Sequence, residues 1–186
     1  MIDMDEYLVI VNDTLKNYLS NPNFNKCDFI VFHWVIPSDN NLIYFDNRSL
    51  FERFKKPYEK SIFVKTLVKS GIDDLIYHCH SPSFSPKRNI TCNNLGEKLY
   101  YKKLDMKKFR PINIQKAYII HFQFKSTEEF INKLKRGYSN WHKNKKRHLL
   151  NKLYKYLNFK YNKITKEKIN YIEKELHINL NKFKKE

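Results

Sequence analysis

Apolar positions along this chain follow two periods in turn, first that of strands and then that of helices. Glu6–Val11 is a short apolar run rich in β-branched residues. Thr14–Ser20, with Leu15, Tyr18 and Leu19, predicts one or two helical turns before Pro22 breaks them. Cys27–Ile36 is almost continuously apolar (Phe29, Ile30, Val31, Phe32, Trp34, Val35, Ile36). That pattern predicts a strand covered on both faces, as in the parallel sheet of an α/β protein. Pro37 and the following Ser-Asp-Asn-Asn end it.

Leu50–Phe54 predicts part of a helix, Ser61–Val68 a β-rich segment and Asp74–His80 a further short strand, while 81–110 is polar and turn-rich. Lys116–Phe124 again reads as a strand. Ser126 then stands three residues before Glu129, the capping-box spacing, and predicts a helix to about Arg136 with Gly137 as its stop. Beyond Gly137 the period is purely helical. Leu149, Leu150, Leu153, Tyr154 and Leu157 form one apolar stripe, and Ile169, Ile172, Leu176 and Leu180 another.

Charge sharpens this division. The chain of 186 residues carries a formal net charge of +17. Residues 1–132 hold 19 basic and 15 acidic side chains, whereas 133–186 hold 17 basic and 4 acidic. The helical C-terminal part therefore carries most of the excess, which attracts phosphates, anionic head groups or nucleic acid. With 41% hydrophobic and 16% aromatic residues, the chain still has the material for a packed core. The expected organisation is a first region over 1–138 and a Lys/Asn-rich amphipathic helical tail over 139–186.

Composition also removes function classes. Three glycines in the whole chain leave no Gly-rich phosphate loop of the Walker or dinucleotide type. Cys27, Cys79 and Cys92 form neither an even disulfide framework nor a CxxC zinc pattern, which points to a reducing compartment. The longest apolar runs fall far short of the roughly 20 residues of a membrane-spanning helix. A cytoplasmic protein, soluble or held peripherally at a membrane, is the expectation.

Asp3, Asp5 and Glu6 form a DxDE cluster before the first apolar run. Carboxylates at i and i+2 of an extended backbone point the same way and can share a hard divalent cation. Read alone, the cluster is more readily a solvated acidic start, since carboxylates are usually exposed.

The neighbours add a resemblance. "IDMDEYL" (Asp3, Asp5, Glu6), the strand containing Trp34, the triplet Glu52-Arg53-Phe54, Lys65, His78 and "HFQFKSTEEFINKLKRG" from His121 to Gly137 together resemble the metal-dependent glycosyltransferases of family 2 and the related family 92, which share the GT-A fold. The match covers roughly residues 1–138. It implies an α/β chain that is a partial GT-A domain, a mixed sheet flanked by helices and corresponding to its C-terminal half, followed by a basic helical extension. It implies Mn²⁺ or Mg²⁺ held by Asp3, Asp5 and His121. Glu52 or Asp46 would be the base toward the acceptor hydroxyl, and Arg53, Lys65, His78 and Lys125 would bind the donor diphosphate. The implied reaction transfers a hexose from a nucleotide-sugar donor to a glycan or lipid-linked acceptor. The nucleotide-binding units that precede the metal motif in such domains would come from a separate N-terminal half.

Two other readings compete with this one. A basic module could hold nucleic acid or an anionic membrane surface through its C-terminal lysines, with Tyr138, Trp141, Tyr154, Tyr156, Phe159 and Tyr161 as stacking groups. A non-catalytic remnant of a glycosyltransferase is the other.

Overall fold

A computed structural model describes residues 3–55, 58–72, 76–77, 82–83, 90–99, 111–137 and 145–180. It is a mixed α/β protein. In chain order the elements are β1 (Glu6–Ile10), α1 (Leu15–Leu19), β2 (Phe29–Pro37), α2 (Leu50–Arg53), β3 (Tyr58–Val68), β4 (Ile76–Tyr77), β5 (Pro82–Ser83), β6 (Thr91–Cys92), β7 (Ala117–His121), α3 (Thr127–Arg136), α4 (Lys145–Leu157) and α5 (Lys166–Leu176). A short 3-10 turn at Pro22–Phe24 follows α1.

The chain divides into two compact units, each discontinuous in sequence. One comprises Met1–Ile36 and Lys60–His121, the other Pro37–Glu59 and Phe122–Glu186.

The first unit is built on a mixed sheet of order β1-β7-β2-β3, with β6 also paired to β2. β1 and β7 run antiparallel with Glu6 opposite His121 and Ile10 opposite Ala117. β7 is parallel to β2 where Trp34 meets Ile119, and β6 is parallel to β2 where Phe29 meets Thr91. Every residue of β2 is buried, as its unbroken apolar sequence requires of a central strand. Tyr18 packs against Phe24 and Phe32, and its hydroxyl donates to the Asn94 carbonyl at 2.8 Å. Gly96 turns at φ +81°, and a Cβ there would come within 2.6 Å of the Asn23 side chain.

Cys27 and Cys92 are joined by a disulfide across 65 residues of sequence. Their spacing gives no hint of this, because the two meet only when the start of β2 pairs with β6. The expectation of unpaired thiols therefore fails for these two, while Cys79 lies outside the described residues.

The second unit is helical, with an aromatic and aliphatic core. Phe130 stacks on Tyr156 at 4.4 Å, Phe124 meets both Tyr156 and Phe159, and Ile131, Leu134, Leu153 and Ile172 are buried around them. α3 begins as its sequence predicts. The Ser126 hydroxyl accepts from the Glu129 amide, the Glu129 carboxylate accepts from the Ser126 amide, and Gly137 closes the helix at φ +82°. α2 opens on a second capping box, Ser49 with Glu52.

A buried ionic network ties the loop after β2 to the last helices. Asp39 and Lys168 are both fully buried and meet at 2.6 Å. Asp39 also accepts from the Tyr156 hydroxyl and from the Asn41 amide, while Lys168 donates a second bond to the Lys163 carbonyl. With these partners the buried charges are paired and hydrogen-bonded, the condition on which such groups are tolerated.

Candidate functional site

The start of β1 and the end of β7 bring three carboxylates, a histidine and a lysine together in the first unit. Residues 3–6 are not extended. They form a turn in which the Glu6 amide donates to the Asp3 carbonyl at 2.9 Å and the Asp3 amide donates to the Glu6 carboxylate at 3.2 Å. The two aspartates thus leave the backbone on a bend, in place of the i, i+2 geometry expected of a strand.

Antiparallel pairing places Glu6 directly opposite His121, so their side chains share one face of the sheet. His121 Nδ1 lies 3.9 Å from Glu6 Oε1, and His121 Nε2 lies 3.8 Å from Asp5 Oδ1. The imidazole stands edge-on to the Trp34 indole with ring centres 4.4 Å apart, which fixes its plane. Lys65 reaches in from β3 and contacts Asp3 at 3.1 Å and Glu6 at 3.0 Å.

The electrostatics of the cluster follow from unequal burial. Glu6 is fully buried in its side chain, and burial pushes its carboxyl above the usual carboxylate range despite the hydrogen bond from Lys65. Burial by itself pulls the Lys65 ammonium down, yet the hydrogen bonds to Glu6 and Asp3 outweigh it and leave the group raised. The two directions oppose each other, since one favours a neutral acid and the other a charged pair. The two short contacts on Lys65 fit the charged ammonium, and that form governs the site at neutral pH.

Among the described residues no group of three or more His, Cys, Asp or Glu side chains is arranged to hold a metal ion by itself. Asp5 and His121 nevertheless fit as a pair. They offer one oxygen and one imidazole nitrogen on adjoining, mostly buried side chains. Magnesium and manganese are commonly held by one or two protein ligands, with phosphate oxygens and water completing the shell. Asp3, with its side chain 54% exposed, is turned to Lys65 through Oδ2.

The remaining sequence-predicted residues have other surroundings. Arg53 and Lys125 belong to the second unit. The Arg53 guanidinium is buried, pairs with Glu129 at 2.6 Å and lies against Phe45 and Phe54. Asp46 holds Arg48 through both carboxylate oxygens, and these hydrogen bonds bring it down to about 2. Glu52 accepts from the Ser49 hydroxyl and amide within its capping box, which lowers it too. Carboxyls so lowered are weak proton acceptors at neutral pH, so the base expected at Glu52 or Asp46 gains nothing from these surroundings. His78 lies outside the described residues.

Sequence reasoning placed no role on Glu6 as the buried partner of Lys65. A lysine in the middle of a β-rich run, facing an acid that opens another strand, is the signal that could have found it. Of the aromatic residues expected to stack on nucleic acid, Tyr156 is buried in the core, Tyr154 is exposed, and Tyr138 and Trp141 lie outside the described residues. No helix among the described residues is long and apolar enough to cross a membrane. No family model, curated protein or solved structure matches this chain.

Proposed function

We propose that the Asp5–His121 cluster is the metal-dependent diphosphate site of a GT-A type glycosyltransferase. The observation that carries the reading is the approach of Asp5 Oδ1 to His121 Nε2 at 3.8 Å, brought about where β1, which begins just after Asp5, pairs with β7. The resemblance singled out these two residues for the same task. Mn²⁺ or Mg²⁺, when bound, would offset the charge that grows on the β-phosphate as a nucleotide diphosphate leaves a hexose.

The chain's own residues supply the rest. Trp34 holds the His121 ring in position, and Lys65 keeps Asp3 and Glu6 from repelling one another. Lys65 Nζ also sets a positive charge beside the ligand pair, where diphosphate oxygens would gather. The donor is a nucleotide sugar and the acceptor a glycan or lipid-linked glycan. The basic helical segment after 138 is then an extension of that domain.

Calorimetric titration of the full chain with Mn²⁺ and uridine or guanosine diphosphate tests this. Binding is expected to require the metal, and Asp5→Asn or His121→Ala should weaken it by about tenfold or more. Metal-independent binding, or indifference to both substitutions, would sink the reading and leave a non-catalytic remnant.

One observation favours a second reading. α4 contains no acidic residue, and Arg147, His148, Lys155 and the 64% exposed Tyr154 face solvent. A steep salt dependence of RNA binding that is lost in Tyr154→Ala would support a nucleic-acid surface there. Affinity for anionic vesicles in place of RNA would assign the same lysines to a membrane.

A further inference from the structure

The second unit contains a cavity of about 250 Å³ along one side of α3, lined by Gln123, Lys125, Glu129, Asn132, Lys133 and Arg136. Positions 129, 132, 133 and 136 recur at helical spacing, so their side chains stack on one face and open onto the same space. Phe130 supplies an apolar wall.

The single acid in this lining does not neutralise it. Both Glu129 oxygens accept from the Arg53 guanidinium, and one also accepts from the Ser126 hydroxyl at 2.8 Å. Burial favours a neutral Glu129, but these bonds prevail and hold it below its ordinary value. Lys125 and Arg136 therefore set the charge this lining presents.

A solvated helix face explains part of this arrangement. Lys133 and Arg136 lie in the last turn, where the negative end of the helix dipole welcomes cations. Lys125 lies before the N-cap Ser126, at the positive end, where a cation is disfavoured. The positive field also extends to α4. Burial, then the charges of Lys155 and Lys133, pull the Lys152 ammonium down.

We propose that this cavity is an anion site that takes the phosphate or diphosphate group of a small phosphorylated ligand. Arg136 offers the planar fork that matches phosphate oxygens, and Lys125 offers a point charge. Gln123 and Asn132 add amide donors and acceptors to the lining. The volume lies just below the usual range of small-ligand sites, which suits a phosphorylated group of modest size and not a polymer.

Titration of the full chain with pyrophosphate in the presence of EDTA tests the site without any cation at Asp5 and His121. Failure here is thus distinguishable from failure of the glycosyltransferase reading. Binding should weaken about tenfold or more in Lys125→Gln/Arg136→Gln and hold in the charge-matched Lys135→Gln/Lys174→Gln. Equal weakening in both double variants, or no binding by the wild-type chain, would overturn the proposal. Lysine acylation read by mass spectrometry needs no variant. Pyrophosphate should protect Lys125 but not Lys135, and equal labelling with and without it counts against the site.

Discussion

Lys65 shows how much one side chain can govern. It is 4% exposed and sits against a carboxylate, Glu6, that is wholly buried and one, Asp3, that is half in water. The contact with Asp3 is screened by solvent and stabilises little, whereas removing the ammonium strands a buried charge. Lys65→Met is expected to cost about 3–5 kcal/mol at neutral pH in urea unfolding, and Lys65→Met/Glu6→Gln to recover most of it. The sign of the pH effect follows from Glu6. Its folded value is raised, so the folded chain holds that proton more tightly than the unfolded chain does. Stability from this group is complete below 4.5, its ordinary value, and is lost as pH rises through the folded value. The penalty of Lys65→Met should therefore shrink when unfolding is measured at pH 4. A penalty identical at pH 4 and pH 7 would mean that Glu6 is not the charge left behind. Lys65 and Glu6 were each visible in the sequence, but their pairing was not, because it depends on which strands the sheet sets near one another.

At the scale of elements, local rules were legible and long-range ones were not. Ser126 and Glu129 announce the start of α3 because a capping box is complete within four residues. β2 was legible from its unbroken apolar run, since only a strand covered on both faces can use one. The turn at Asp3–Glu6 escaped notice because one of its two bonds needs the Glu6 carboxylate to fold back to the Asp3 amide. Asp39 and Lys168 stand 129 residues apart, beyond any periodic pattern. The two kinds of interaction should also differ in energy. Ser126→Ala removes one cap and is expected to cost about 1 kcal/mol. Glu129→Gln strains the same capping box and also leaves the Arg53 guanidinium buried without its anion, at a cost of about 3 kcal/mol or more. Chemical unfolding of both variants checks the order, and equal losses would show that Arg53 draws no support from Glu129.

Over the whole molecule, each unit is stapled by a different chemistry, so their solution vulnerabilities should differ. The disulfide closes a 65-residue separation in the first unit. By the chain-entropy estimate, reduction or Cys27→Ser/Cys92→Ser should remove about 4 kcal/mol. Tryptophan fluorescence of Trp34 during denaturation is a suitable probe. The second unit should be sensitive to alkali through Tyr156, a sensitivity that the buried Tyr18 of the first unit shares. Burial, followed by the charge of Asp39, raises the Tyr156 hydroxyl well above its ordinary value of 10.0. The folded chain thus keeps a proton that the unfolded chain gives up, and the stability this supplies is present below pH 10 and lost above it. Tyr156→Phe should flatten the alkaline side of the melting curve, whereas an unchanged slope would exclude Tyr156 as its source.

The Asp39–Lys168 pair also bears on how this gene tolerates damage. A stop codon or frameshift between positions 158 and 167 would yield a chain in which Asp39 is made but the ammonium that meets it is not. Such a product would carry most of the strands and helices, yet keep an unanswered negative charge in its interior. The expected fate is clearance by quality-control proteases, not service as a shorter working form. C-terminal fluorescent reporters fused after 164 and after 186 would make that visible as a difference in steady-state abundance at equal transcript level.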